Sequence, residues 1–176
     1  MKIVLLPGNS AYNKEWIEKV EESLLKIYES SYLQYYRHWK TGGGLIDSEY
    51  EKAVLIKEVG HDKDFDVFAK SAGIIVALKA ILERSITPRK CIFVGLPLKW
   101  ARANNMPLER LFENLTIPIL FIQKDNDPVC SFLKLRKFIE KVRITNASFF
   151  ELPGDDHDYM EIGEIRKTVK DFIAGQ

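Results

Sequence analysis

This 176-residue chain is short of charge imbalance, cysteine, histidine and long apolar runs, and each shortage excludes something. Lys plus Arg number 26 against 25 Asp plus Glu, a formal net charge of +1. That balance removes the bulk electrostatic case for nucleic acid or an anionic membrane surface as partner. Two cysteines, Cys91 and Cys130, cannot frame a disulfide scaffold, and Cys91 in its apolar run reads as a reduced core residue. Cys130 reads as buried filler, with nothing to mark an activated thiolate. No stretch approaches the roughly 20 apolar residues of a membrane span, and the opening MKIVLLPGNS is too short for a signal h-region. A cytoplasmic protein is the expectation. There is no repeat and no low-complexity tract.

What is present is enough apolar material for a core: 46% hydrophobic against 29% charged residues, in a length that reads as a single domain over 1–176 without a large lid. Apolar runs of strand length alternate with helix-period segments. Strands are expected at 2–6, 32–39, 65–69, 91–95, 117–123 and 147–152. The spacing of Trp16, Val20, Leu24 and Ile27 predicts a first helix, with Asn13 as its cap. Ser48 and Glu51 have capping-box spacing at the start of a second, running to about Val59. Residues 73–82 are apolar on nearly every face and predict a deeply buried helix. Residues 96–107 read as irregular, 108–114 as a short helix. Phe132, Leu135, Phe138 and Val142 mark a further helix, and Ile162, Ile165, Val169 and Phe172 the last. This alternation predicts an α/β class, three-layer α/β/α sandwich around a mostly parallel sheet of about six strands. The aromatic second strand is expected near a sheet edge.

Ligands of such sheets bind beyond the carboxyl ends of the strands, so those loops are the ones to read. Ala69-Lys70-Ser71-Ala72-Gly73 follows a strand and opens a helix. A sharp strand-to-helix turn lifts a serine hydroxyl clear of the backbone and leaves no room for bulk two residues to either side. The plain alternative is tight strand–helix packing. A serine hydroxyl is weak at neutral pH and needs a base, and the base needs a carboxylate to fix its tautomer. Asp127, in Lys-Asp-Asn-Asp-Pro-Val after the fifth strand, and His157, in Pro-Gly-Asp-Asp-His-Asp after the sixth, supply those types. Taken singly, each is an ordinary loop residue. Together they give the chain order Ser, Asp, His, each after its own strand. A metal reading of His157 fails on spacing, because a single His among adjacent acids is not a ligand set. No cofactor is called for.

The segments KIVLLPGNS, FAKSAGIIVAL, PILFIQKDNDPV and ELPGDDHDYME together resemble the α/β-hydrolase superfamily over nearly the whole chain, and most resemble its small, capless bacterial members. The resemblance implies a minimal α/β-hydrolase fold and a serine hydrolase of carboxylesterase or thioesterase type, acting on a small-molecule acyl substrate. It implies Ser71 as nucleophile, His157 as general base and Asp127, which Pro-Val follows, as orienting acid in preference to Asp125. It also implies an oxyanion hole from the N–H groups of Asn9 and Ala72. This sequence departs from the superfamily pattern in Ala69 for the first elbow glycine, Lys70 before the serine, and Pro-Gly-Asn where many members have His-Gly. The alternative is a non-catalytic binding protein of the same fold.

Other residues are weaker substrate-contact candidates. Lys70 beside the serine is expected to point away from it and to be solvated. His38 and Trp39 abut the Gly42-Gly43-Gly44 loop, while Trp100 and Arg102 follow the fourth strand. The triple glycine lacks the Gly-Lys-Ser/Thr ending of a phosphate loop, and no glycine fingerprint of a dinucleotide binder follows the first strand.

Overall fold

The computed structural model describes residues 1–175. Six strands form one sheet: β1 (Lys2–Leu6), β2 (Ser30–Leu33), β3 (Phe65–Lys70), β4 (Cys91–Val94), β5 (Ile119–Lys124) and β6 (Ala147–Leu152). Their order is β2-β1-β3-β4-β5-β6, and every pairing is parallel. The four inner strands are apolar because helices cover both faces: β1, β3, β4 and β5 are almost wholly buried, while the edge strands β2 and β6 are half-buried. On one face, α1 (Asn13–Leu24) and α7 (Ile162–Ala174) pack Trp16, Ile17, Val20, Ile165 and Val169 against Ile3, Leu5, Phe68 and Ile122. On the other lie α2 (Ser48–Val59), α3 (Ala72–Leu82), α4 (Leu98–Ala103), α5 (Leu108–Leu111) and α6 (Phe132–Lys141). The expected three-layer parallel sandwich is therefore present, with the helix α3 largely buried in one of its helical layers.

Four local expectations are corrected. Residues 32–39 do not form one strand: β2 ends at Leu33, and Arg37–Thr41 is a 3-10 turn closed by Gly42 at φ 91°. The aromatics there serve a loop, as the site below explains. Asn13 does not cap α1; it is the first helical residue, and its side-chain amide bonds Ser10 O and Lys70 instead. The cap of α2 is Asp47, which accepts from the Tyr50 N–H, while Ser48 Oγ accepts from Lys79 and Glu51 is buried against Gln34. Residues 96–107 are not irregular throughout, because α4 occupies Leu98–Ala103.

Among the described residues no helix is long and apolar enough to cross a membrane. Cys91 and Cys130 are free and buried.

Candidate active site

The parallel sheet brings the ends of β1, β3, β4, β5 and β6 to one edge, and the candidate residues stand there. Ser71 sits between β3 and α3 with φ 49° and ψ −117°, a region an L-residue enters only when its surroundings enforce it. Its N–H donates to Val94 O at 3.0 Å, and its own carbonyl accepts from Ile74 N at 2.9 Å. The tightness of this elbow has a visible cause two residues on. A Cβ at Gly73 would lie 2.4 Å from Leu6 O and 2.7 Å from Pro7 O, so only glycine lets α3 start against the end of β1. Ala69 is fully buried, so a small residue fits the near side of the turn without needing to be glycine.

Asp127 lies in the loop after β5 with its side chain fully buried. His157 Nδ1 is 2.7 Å from Asp127 Oδ2. The same Oδ2 accepts from Tyr159 OH at 2.7 Å and Gln123 Nε2 at 3.0 Å, while Oδ1 accepts from the N–H groups of Val129 and Cys130 at 2.7 and 3.2 Å. Burial pushes the carboxyl pKa up, but the His157 and Tyr159 hydrogen bonds, the His157 charge and the Val129 N–H outweigh it and hold it below the ordinary value. Asp125, the rival acid, accepts from Asn126 N and Gly154 N and only ties the two loops together.

The imidazole of His157 is seated on Gly95, immediately after β4. Gly95 has φ +64°, and a Cβ there would meet His157 Cε1 at 2.8 Å. Val94, which accepts from the Ser71 N–H, precedes that seat, so Ser71 and His157 flank one strand end. His157 Nε2 is shielded from solvent and has no partner among the described residues; no hydrogen bond joins it to Ser71. A buried unpartnered nitrogen is costly unless a ligand or a small side-chain motion satisfies it.

Asn9 is gripped on every polar side-chain and carbonyl atom. Its carbonyl accepts from Trp39 Nε1 at 2.8 Å and lies 2.7 Å from His38 Nε2. Its Nδ2 donates to Gly44 O, and its Oδ1 accepts from Ile46 N. This is why residues 37–41 coil rather than extend: the turn aims both rings at Asn9. The backbone N–H groups of Asn9 and Ala72 donate to no protein acceptor among the described residues. His38 and Trp39 thus hold the Asn9 loop.

Lys70 corrects its expectation of solvation. Its side chain points away from Ser71, as expected, but it is only 4% exposed, donates to Asn13 Oδ1 at 2.7 Å and lies 4.8 Å over the Trp16 ring. Burial lowers its pKa to about 8, against opposing pulls from Asp158, Asp127 and Asp156. Trp100 packs partly buried on the core and Arg102 is exposed on α4; among the described residues neither hydrogen-bonds to Ser71, Asp127 or His157.

Three supporting residues were not singled out from the sequence. Gln123 donates to Asp127, Cys130 O and the Tyr159 hydroxyl, and accepts from Leu96 N at 2.8 Å, so one amide ties three loops. Its available sign was a polar residue following four apolar ones in ILFIQK. Tyr159 is fully buried at φ 60°, and its carbonyl accepts from Trp16 Nε1. Gly95 announced itself only as the end of an apolar run. Among the described residues no cluster of His, Cys, Asp and Glu is arranged to hold a metal.

No protein-family model and no curated protein sequence matches the chain. Solved structures do. An uncharacterised protein of Bacillus cereus superposes with a TM-score of 0.76 at 22% identity over 99% of this chain, which spans 59% of that protein's length. An esterase of Pyrococcus furiosus gives 0.76 at 17% identity, covering 99% of this chain and 82% of that one. A Xanthomonas campestris protein assigned to the alpha/beta hydrolase superfamily gives 0.75 at 13% identity, covering 99% and 98%. The architecture is the α/β-hydrolase fold.

Proposed function

We propose that this protein is a serine hydrolase that cleaves an ester or thioester of a small-molecule acyl substrate. The observation that carries the reading is the His157–Asp127 pair, 2.7 Å apart, whose far nitrogen is left bare at the strand end that Ser71 shares. In this reading Ser71 Oγ attacks the substrate carbonyl while His157 Nε2 takes its proton. The developing oxyanion is met by the Asn9 and Ala72 N–H groups. His157 then returns the proton to the leaving alcohol or thiol, and water repeats the sequence to free the acid. Asp127 stays ionised and stabilises the imidazolium, which its depressed pKa favours. Each oxyanion donor is worth roughly 3–4 kcal/mol of barrier in sites of this kind. The likeness to an esterase of known structure, given above, agrees with the assignment.

A second reading, a binding protein without turnover, draws on the missing Ser71–His157 hydrogen bond. Such bonds are often long in ligand-free sites and tighten with substrate. A fluorophosphonate probe separates the two. Covalent labelling of the wild type and none of Ser71→Ala is expected. A folded wild type that stays unlabelled overturns the hydrolase reading.

A further inference from the structure

Beside the Asn9 loop lies a cleft of about 340 Å³, lined by Ala11, Lys14, Tyr35, Tyr36, Trp39 and Lys40. It is built, not incidental. Tyr36 is fully buried with its hydroxyl on Pro7 O at 2.8 Å, and Trp39 stands edge-on to it at 5.4 Å with its indole N–H on Asn9 O. Trp39 is therefore an accessible aromatic wall pinned to the loop that bears the candidate oxyanion N–H and backed by the buried Tyr36, and the exposed Tyr35 ring also lines the cleft. Lys14 lies 5.6 Å over the Tyr35 ring. Neither Lys14 nor Lys40 has an ion-pair partner among the described residues. The Glu18 carboxylate nearby is engaged by the Tyr35 hydroxyl at 2.7 Å.

We infer that this cleft receives an arm of the substrate that is apolar and flat along its length and ends in an anionic group, a carboxylate in the simplest case. The aromatic walls supply non-polar area with little entropy to lose. Lys14 and Lys40, both exposed and both lining the cleft, are the cations available for charge-assisted hydrogen bonds to the terminal group. A neutral arm of the same length would gain the first and forgo the second. The inference deepens the hydrolase reading and rests on it only for the word substrate, because binding to the cleft needs no nucleophile.

The test has two arms. In the first, 3-phenylpropionate and its neutral amide are titrated into Ser71→Ala protein, following tryptophan fluorescence, with Trp39→Phe as the control that assigns the change. The carboxylate is expected to bind roughly tenfold more tightly than the amide, and Lys14→Gln/Lys40→Gln is expected to remove most of that advantage. Equal affinities, or an advantage the double variant keeps, overturn the inference. In the second, kcat/KM is compared for 4-nitrophenyl hydrogen glutarate and 4-nitrophenyl valerate, and for an ester pair with the carboxylate on the alcohol side. Preference for the anionic ester in either pair, lost in the double variant, supports the inference. Cleavage of all four without charge preference overturns it and leaves the hydrolase reading intact. Binding without cleavage of these four esters leaves the cleft standing, and the fluorophosphonate labelling above then decides the hydrolase reading.

Discussion

The ends of β3 and β5 reach the same sheet edge, and each finishes on a buried lysine, yet they are held in opposite ways. Lys124, 2% exposed, donates to both Asp156 oxygens at 2.9 Å and lies 3.1 Å from Glu161; burial pulls its pKa down, but these carboxylates outweigh that and raise it. Lys70, 4% exposed, has only the neutral Asn13 oxygen and an indole face. The residues that follow differ in the same sense. Asp127 receives donors on both oxygens, whereas Ser71 holds a strained backbone conformation. The β5 end is over-determined and the β3 end under-satisfied. Under the hydrolase reading proposed above, that contrast keeps one part fixed while another reacts.

Three substitutions probe that contrast. Lys124→Met strips two carboxylates of their common cation beside the His157 loop. It is expected to cost about 3 kcal/mol, the low end for breaking a buried pair because Asp156 stays half in water. Chemical unfolding at pH 7 checks it, and a neutral result would erase the distinction between the two lysines. Lys70→Met should do the reverse. Burial holds Lys70 near 8, below its ordinary 10.5, so below pH 8 both states carry the charge and the native one bears its desolvation. The lowered value corresponds to about 3 kcal/mol, and the lost Asn13 and Trp16 contacts leave a net gain of about 1–2 kcal/mol at pH 7. As pH rises from 8 to 10.5 the native lysine loses its proton first and wild-type stability recovers relative to the variant. A gain that persists unchanged at pH 10.5 would disprove the electrostatic cause.

The smallest effect is expected of Tyr159→Phe, which removes one of the donors on Asp127 Oδ2 and costs about 1 kcal/mol. Asp127 titrates below its ordinary value in the folded protein. The cost should therefore be present in full above pH 4 and fade as pH falls through the native pKa. Unfolding measured from pH 2 to 7 reads this directly, and a wholly pH-independent difference would point instead to packing and to the Gln123 and Lys124 donors that lose the hydroxyl as acceptor.

Much of this arrangement was legible one segment at a time. Apolar runs marked the strands because a sheet covered on both faces needs side chains that tolerate burial in either direction. The elbow was legible because small residues at 69 and 73 have a steric reason, which Gly73 against Leu6 O now supplies. The order Ser71, Asp127, His157 was legible because each follows its own strand. Residues 32–39 were misread because aromatic composition suits a strand and a packed turn alike, and only the distant Asn9 decides between them. Lys70 was misread because its solvation depends on Asn13 and Trp16, far away in the chain.

The sequence by itself determined the layered class, the parallel order of elements and the loops that meet at one edge, since these follow from local periodicity and turn chemistry. Only the tertiary structure decided which nitrogen of His157 is held and which is bare, how Gln123 and Tyr159 lock Asp127, and which lysine is paired. Those are matters of distance between segments remote in the chain, and hydrogen bonds and desolvation respond to distances that no local pattern encodes.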